Sequence, residues 1–258
     1  MKNCVVLLSG GVGARMGDAT PKQYITVSGK PVLLYTMEAA ERCGRIDAIL
    51  VVCAPEYGEY VARLAGEYGI TKYIGWVPAG KNRQRSADNG LFEIERRGGC
   101  ENLIVHDAVR PLVNDRIFCD GLDKLGEYEA ALAAIPTRDS CYRSTDGATM
   151  EGPLDRSVIF RGQTPEFFRF KSYLKAVKES SDEELDRVTG SAAVAMNRGI
   201  RVALSLGEER NFKITTKEDL DRFRLEVGER EDDRGGKRRS AQGTEGRNGA
   251  FGDLCRDL

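Results

Sequence analysis

The sequence predicts an α/β protein with a doubly wound, mostly parallel sheet and a protruding β-arm. Its 258 residues are enough for one large domain with a substantial core. Short apolar runs typical of buried strands alternate with segments of helical periodicity, which is the order of βαβ units. The predicted strands are Cys4–Leu8, Ile46–Cys53, Lys72–Val77, Asn102–His106, Glu129–Ile135 and Arg201–Leu206.

Three helical segments connect the first four strands. Pro31 suits the first turn of a helix whose apolar positions recur at helical spacing until Gly44 ends it. The next two crossovers are predicted at Glu56–Tyr68 and Ser86–Arg97, with Ser86 as the N-cap of the latter.

The segment Pro136–Asp155 interrupts this alternation. Asp146-Gly147 is a turn signal, and Gly152-Pro153 follows it. We expect a hairpin-like arm at about 137–155 that leaves the sheet. Two interpretations remain open: a second copy of the chain covers the arm in a homodimer, or the arm is a long surface loop.

The composition changes after Val227. We interpret residues 1–227 as the folded domain and the charged residues 228–258 as a disordered tail.

Charge and cysteine content exclude several classes of function. Lys and Arg number 39 against 40 Asp and Glu, so the net charge of −1 gives no field for nucleic acid or a membrane. The seven cysteines form no Cys-x-x-Cys pair, and His106 is the one histidine, which argues against a zinc site or a disulfide framework. No apolar stretch approaches the ~20 residues that span a bilayer, and we expect a cytoplasmic protein without a membrane partner.

The glycine-rich loop after the first strand predicts a triphosphate site. Glycines at positions 10, 11, 13 and 17 free the backbone to turn and to point N–H groups at a phosphate, and Arg15 and Lys22 supply positive charge. The spacing fits neither a Walker A loop nor a dinucleotide fingerprint, whose third glycine is replaced by Met16. A plain glycine-rich turn with a solvated arginine is the alternative.

A second polar cluster follows the strand that ends near His106. Asp107 and Arg110 lie where an α/β sheet places its ligands, at the carboxyl end of a strand. The carboxylate suits a magnesium ion or substrate hydroxyls, and the guanidinium suits a phosphate. An Asp–Arg pair that caps a turn is the alternative, and we interpret His106 as a packed, hydrogen-bonded residue.

Further cations occur in three other segments. Arg83 and Ser86 lie in a basic stretch before a helix, where they face either a nucleotide or solvent. Arg156 follows the arm, and Lys213 precedes the last helix. The sequence contains no serine-histidine-aspartate set, and cations around one carboxylate suit phosphoryl or nucleotidyl transfer, where charge is neutralised and groups are positioned.

Together these motifs resemble the cytidylyltransferases that join CTP to a polyol phosphate, in isoprenoid synthesis (methylerythritol 4-phosphate) or wall-polymer synthesis (ribitol 5-phosphate). The resemblance covers roughly residues 3 to 226. It is carried by Gly10–Gly17, Pro21-Lys22-Gln23, Arg83–Ser86, His106–Pro111, Gln163-Thr164-Pro165 and Phe212–Thr215. One segment departs from the pattern, since Thr189-Gly190-Ser191 lacks the acids that the family commonly has there.

The resemblance implies a role for each matching residue. The implied catalytic residues are Arg15, Lys22, Arg156 and Lys213. The implied nucleotide-binding residues are Ser9, Gly10, Gly11, Gly13, Arg15, Lys22, Arg83, Ser86 and Asp107. The implied substrate-binding residues are Asp107, Arg110, Ser140, Arg156, Thr164 and Lys213, with Ser140 and Arg156 acting across a homodimer interface. Mg²⁺ is the implied cofactor, held mostly by the CTP phosphates, with Asp107 as its candidate protein ligand.

The family implies CMP transfer from CTP to a polyol phosphate with release of pyrophosphate. Methylerythritol 4-phosphate is the first expectation for the acceptor and ribitol 5-phosphate the alternative. Two other interpretations stay open: transfer from UTP or GTP, and a non-catalytic nucleotide-binding module.

Overall fold

The computed structural model describes residues 1–11 and 20–238, the last ten by their backbone alone. The glycine-rich loop positions Gly13 and Arg15 therefore lie outside the described residues. The strands are β1 (Asn3–Ser9), β2 (Thr26–Val27), β3 (Lys30–Pro31), β4 (Ala48–Cys53), β5 (Tyr73–Pro78), β6 (Asn102–Asp107), β7 (Ala130–Pro136), β8 (Cys141–Arg143), β9 (Gly152–Leu154), β10 (Phe160–Arg169) and β11 (Val202–Leu206). The α-helices are α1 (Val32–Arg42), α2 (Gly58–Glu67), α3 (Arg83–Arg96), α4 (Asp115–Lys124), α5 (Phe170–Lys178), α6 (Asp182–Arg187), α7 (Ser191–Asn197) and α8 (Lys217–Arg238).

A seven-stranded sheet forms the centre of the molecule. Its strand order is β11-β7-β10-β6-β1-β4-β5, and β10 alone among these strands runs antiparallel to its neighbours. The predicted doubly wound, mostly parallel sheet is confirmed.

Alternate residues of the strands face two separate apolar cores. In β1, Val5 and Leu7 pack with α1, α2 and α4, whereas Cys4 and Val6 pack with α3, α5 and α7. Because both faces are covered by helices, the central strands are apolar at nearly every position, which is why they read as short continuous apolar runs. The expectation that Cys4 and Cys53 are core residues is confirmed, since neither has any exposed surface.

A third apolar cluster lies beside the sheet. It joins the β2–β3 hairpin, the segment after β6, the segment before α8, and α8 itself. Its buried members are Val27, Val32, Val109, Leu112, Ile214, Leu220, Phe223 and Val227.

The arm is a separate two-stranded sheet. Strands β8 and β9 pair antiparallel, with Tyr142 opposite Pro153. The turn signal acts as predicted, because Asp146 accepts hydrogen bonds from the backbone N–H groups of Ala148 and Thr149, and Gly147 adopts a φ of 70°. The predicted protruding hairpin is confirmed.

Strand β10 is the main element that the sequence did not predict. Its run contains Gly162 and Pro165, which normally interrupt strands, and its register with β7 shifts between Gly162 and Glu166. The bulge breaks the alternation of apolar and polar residues on which strand prediction depends.

One further prediction was wrong. Helix α3 begins at Arg83 with Asn82 as its N-cap, whose side chain accepts from the N–H of Arg85 at 2.8 Å, so Ser86 lies within the first turn and is not the cap. Asn and Ser cap helices about equally well, so residue type alone does not choose between Asn82 and Ser86. Helix α8 extends to Arg238, and its last ten residues are described by their backbone alone. The disordered tail expected from residue 228 stays a prediction. The remainder of that tail lies outside the described residues.

No helix among the described residues is both long enough and apolar enough to cross a membrane.

Gly90 lets α3 lie directly on the sheet. A Cβ at this position would be 2.4 Å from Cγ1 of Val6 on β1. We expect Gly90→Ala to lower the free energy of unfolding by about 1–3 kcal/mol through overpacking, despite the ~1 kcal/mol by which alanine favours a helix. Urea denaturation measures the difference.

Gly66→Ala in α2 is the matched control. No atom lies within 4 Å of its added Cβ, so the same substitution should stabilise the protein slightly. Equal effects at the two positions would contradict this account of α3 packing.

Candidate active site

The carboxyl ends of β1, β5 and β6 open onto one cavity of about 480 Å³. The parallel strands bring together loops that are far apart in the sequence. The described lining residues are Leu8, Ser9, Gly10, Gly11, Lys22, Gln23, Gly80, Lys81, Asn82, Arg83, Ser86, Asp107, Val109, Lys213 and Thr215.

The floor of this cavity depends on a close approach of two loops. A Cβ on Gly10 would lie 2.3 Å from Cβ of Ala79, so only glycine allows the loop after β1 to touch the loop after β5. Gln23 fixes the same loop, because its Nε2 donates to the carbonyls of Ser9 and Gly11, each at 2.8 Å. The backbone of residues 9–11 is thereby held in place before any ligand binds.

Ser86 organises the loop opposite. Its Oγ accepts from the N–H of Gly80 at 3.0 Å and donates to the carbonyl of Asn82 at 2.9 Å. The hydroxyl therefore closes the loop that precedes α3 while it faces the cavity.

Asp107 is the electrostatic centre of the site. It ends β6 and its side chain is 7% exposed. Arg83 Nε donates to Oδ1 at 3.1 Å, Lys213 Nζ lies 2.9 Å from Oδ2, and Arg110 Nε lies 3.7 Å from Oδ2. Burial alone would raise the pKa of Asp107, but the three cations outweigh burial and hold that pKa well below its usual range. The carboxylate is ionised at any physiological pH.

The backbone of Asp107 is fixed from β10. Its N–H donates to Oγ1 of Thr164 at 3.1 Å, and the same oxygen lies 2.9 Å from Nδ1 of His106. Thr164 is buried and does not line the cavity, so its hydroxyl supports the site from behind. Asn211 binds the carbonyl of Thr164 at 2.8 Å.

His106 is a packed residue, as its position at the strand end predicts. It has no exposed surface and meets the ring of Phe118 edge to face. Burial lowers the pKa of His106 to about 3, so the imidazole is neutral and a weak base.

The structure gathers most of the predicted site residues, but not all of them. Arg110 lies behind Asp107, where its Nη1 donates to the carbonyl of Asn211 at 2.7 Å, and it does not line the cavity. Ser140 and Arg156 are exposed on the arm, and Arg156 donates to the carbonyl of Arg138 at 2.8 Å. Within one chain, the arm residues do not join the other site residues in the cavity.

The residues that sequence reasoning missed are mostly supports. Gln23 and Glu166 hold groups that line the cavity, and Asn211 holds Thr164 behind it. Gln23 lies in a recognised motif, and Glu166 and Asn211 each lie directly beside one. The signal available in the sequence was a polar side chain next to an apolar neighbour, which indicates a buried hydrogen-bonding residue.

Both oxygens of Asp107 face cations, Arg83 at Oδ1 and Lys213 at Oδ2. The described residues contain no group of three or more His, Cys, Asp or Glu side chains that could hold a metal ion by themselves. Mg²⁺ in nucleotide sites is bound by one or two carboxylates together with phosphate oxygens and water, so the role of Asp107 as its protein ligand stays a prediction.

Comparison with known proteins agrees with this geometry. The family model described as 2-C-methyl-D-erythritol 4-phosphate cytidylyltransferase matches residues 3–227. The chain belongs to the IspD family. Its members are cytidylyltransferases, so the enzyme class that the motifs imply is confirmed.

Relatives with two different names match the chain over most of their length. A 2-C-methyl-D-erythritol 4-phosphate cytidylyltransferase of Alkaliphilus metalliredigens is 33% identical over 221 residues, which cover 85% of this chain and 90% of the relative. A ribitol-5-phosphate cytidylyltransferase of Lacticaseibacillus paracasei is 28% identical over 229 residues, which cover 88% of this chain and 98% of the relative.

A solved structure has the same fold as this IspD-family chain. The 4-diphosphocytidyl-2C-methyl-D-erythritol synthase of Anaerococcus prevotii superposes with a TM-score of 0.75 at 23% identity, over 88% of this chain and 96% of that one.

The ion pairs at Asp107 should matter to stability. Asp107→Asn leaves three cations beside a neutral side chain, and we expect the free energy of unfolding to fall by about 3 kcal/mol, as when one partner of a buried pair is removed. Chemical denaturation measures the change.

Asp123→Asn is the control, because Asp123 pairs with Arg45 at 2.5 Å but is 70% exposed. Such a surface pair is worth about 0–1 kcal/mol. If the two variants lost the same amount, the network around Asp107 would not be a structural centre.

Proposed function

We propose that this enzyme transfers CMP from CTP to 2-C-methyl-D-erythritol 4-phosphate and releases pyrophosphate. The observation that carries the proposal is a buried, ionised carboxylate that is held among three cations and lines a glycine-containing cavity. Such a site binds anionic ligands, which suits a direct transfer between phosphates.

The reaction forms one bond and breaks one. An oxygen of the acceptor phosphate attacks the α-phosphorus of CTP, and the bond from that phosphorus to the bridging oxygen of pyrophosphate breaks. The leaving pyrophosphate takes the electron pair and carries the developing charge.

Several cavity residues have a part in this proposal. The backbone of Ser9, Gly10 and Gly11 holds the nucleotide, and we propose the same role for Gly13 and Arg15, which lie outside the described residues. Lys22 neutralises charge on the triphosphate as pyrophosphate leaves. Lys213 binds the acceptor phosphate, and Asp107 accepts a hydrogen bond from a polyol hydroxyl.

Mg²⁺ enters this proposal as part of the nucleotide. Because Asp107 is surrounded by cations, the triphosphate oxygens and water supply most of the ligands of the ion. We also propose that the enzyme is cytoplasmic, since both substrates are soluble small molecules and free cysteines suit a reducing compartment.

Ribitol 5-phosphate is the second candidate acceptor. The L. paracasei relative named for that substrate matches almost its whole length. Both acceptors present a phosphate and a row of hydroxyls, so the charges around Asp107 suit either one.

Pyrophosphate release with CTP distinguishes the candidates. We expect turnover with 2-C-methyl-D-erythritol 4-phosphate and little with ribitol 5-phosphate, and we expect Lys22→Ala to lose at least about a hundred-fold in kcat because a charge-stabilising group is removed. The opposite acceptor preference would favour ribitol 5-phosphate. Pyrophosphate release with UTP or GTP alone would overturn CTP as the donor. No pyrophosphate release with any donor would overturn the proposal. CTP binding without turnover would favour the non-catalytic module.

We further propose that the arm forms a homodimer. Several apolar side chains of the arm and of the segment that follows it are exposed, which is unusual for a monomer. The exposed set is Tyr142, Met150, Leu154, Val158 and Phe160. In a dimer, Ser140 and Arg156 would serve the cavity of the second copy, which explains why they lie away from their own.

Val158→Asp should break this dimer. Val158 is 74% exposed, so the change costs the monomer little but places a charge in a dry interface. Sedimentation should show monomers with low turnover. Met196→Asp, at a 63% exposed site on α7 outside the arm, should remain dimeric. A wild-type chain that sediments as a monomer would contradict the proposal.

A further inference from the structure

Glu166 is a buried acid to which the proposed reaction gives no role. It follows the bulge of β10 and is 3% exposed. Its Oε2 accepts from Nη2 of Arg83 at 2.8 Å, and its Oε1 accepts from the N–H of Ala192 in α7 at 2.9 Å. A carboxylate this deeply buried needs such hydrogen-bond partners, because burying it without them is costly.

The Arg83 guanidinium joins Glu166 to the cavity. Its Nε donates to Asp107 and its Nη2 donates to Glu166, so two carboxylates grip different edges of one planar group. Burial would lower the pKa of Arg83, but Glu166 and then Asp107 outweigh burial and raise it. Asp107 and Arg83 line the cavity, whereas Glu166 does not.

The third edge of the guanidinium faces Gly190. Arg83 Nη1 is buried and has no hydrogen-bond partner among the described residues. A Cβ on Gly190 would lie 4.0 Å from Nη1 and 3.1 Å from Oε1 of Glu166. Gly190 therefore leaves one flank of the guanidinium without a side chain, and the orientation of Arg83 depends on the other two edges.

We propose that Glu166 is a positioning residue that holds Arg83 at one oxygen of Asp107 and so keeps the carboxylate turned toward the acceptor. This inference rests on the proposed function. Without the charge of Glu166, Arg83 can grip both oxygens of Asp107 in a bidentate pair and withdraw the carboxylate from the cavity. A displacement of about 1 Å in a reacting group can cost about a hundred-fold in rate.

A purely structural role for Glu166 makes different predictions. The bond to Ala192 anchors α7, and its loss alone would lower the melting temperature and all ligand affinities together. A positioning role instead lowers kcat/KM for the acceptor and leaves CTP affinity close to that of the wild-type chain.

The experiment moves one negative charge from one side of Arg83 to the other. Glu166→Gln removes the charge, and Gly190→Asp supplies a carboxylate at the open flank, where the backbone φ of −162° suits any residue. Wild type, E166Q, G190D and the double variant are compared for acceptor kinetics, CTP binding by calorimetry and thermal unfolding.

If Glu166 positions Arg83, the effect of G190D on activity should reverse between the wild type and E166Q. E166Q should lose about a hundred-fold in kcat/KM for the acceptor. G190D alone should be harmful because its carboxylate faces Glu166, whereas the same substitution should restore part of the activity of E166Q. Unchanged acceptor kinetics in E166Q, or a parallel loss of CTP affinity and melting temperature that G190D does not reverse, would overturn the proposal.

A spectroscopic readout keeps the test independent of turnover. In NMR spectra of ¹⁵N-arginine-labelled protein, restricted rotation of the Arg83 guanidinium should give resolved Nη signals. The signals that disappear in the Arg83→Lys variant are those of Arg83. These signals should average in E166Q and be resolved again in the double variant. If the wild type turns over neither acceptor, the proposed function fails. Nη signals that are resolved in the wild type and averaged in E166Q would still support the positioning role. Identical spectra of the two proteins would overturn the positioning role.

Discussion

The candidate site depends on one buried negative charge. Asp107 takes cations from the start of α3, from its own turn and from the segment before α8, which are distant in sequence. A buried carboxylate without these partners would lose its charge, and each cation without the carboxylate would repel the others. The three segments therefore depend on one another, and on Asp107, to meet at this point. Because three cations surround one carboxylate, an excess of positive charge remains toward the cavity.

Close backbone packing sets the shape around that charge. Gly10 against Ala79 brings the loops after β1 and β5 into contact, and Gln23 holds the carbonyls of the first loop. Strand β10 contributes from the other side, because its bulge delivers Thr164 to the backbone of Asp107 and Glu166 to Arg83. Positioning is thus built into the scaffold before any substrate arrives.

The sequence predicted what depends on local pattern. Buried strands such as β1 and β4 are continuous apolar runs, and the cations of the cavity were recognised from the segments that carry them. Pairing of distant residues has no local signal, so the grip of Glu166 on Arg83 and the support of Asp107 by Thr164 were not predicted. Strand β10 was missed because Gly162, Pro165 and a bulge hide its period. The choice between Asn82 and Ser86 as the helix cap depends on the loop path and not on residue type.

The third apolar cluster ties the active-site segments to one another. The hairpin after Lys22, the turn after Asp107 and the segment of Lys213 all pack their apolar neighbours on α8, and Ile214 and Val109 share a backbone hydrogen bond of 2.9 Å. We expect these segments to form one small cooperative unit that opens at a lower free energy than the two main cores. Amide exchange in the three segments should therefore be synchronous, and a ligand that binds any one of them will slow exchange in the other two.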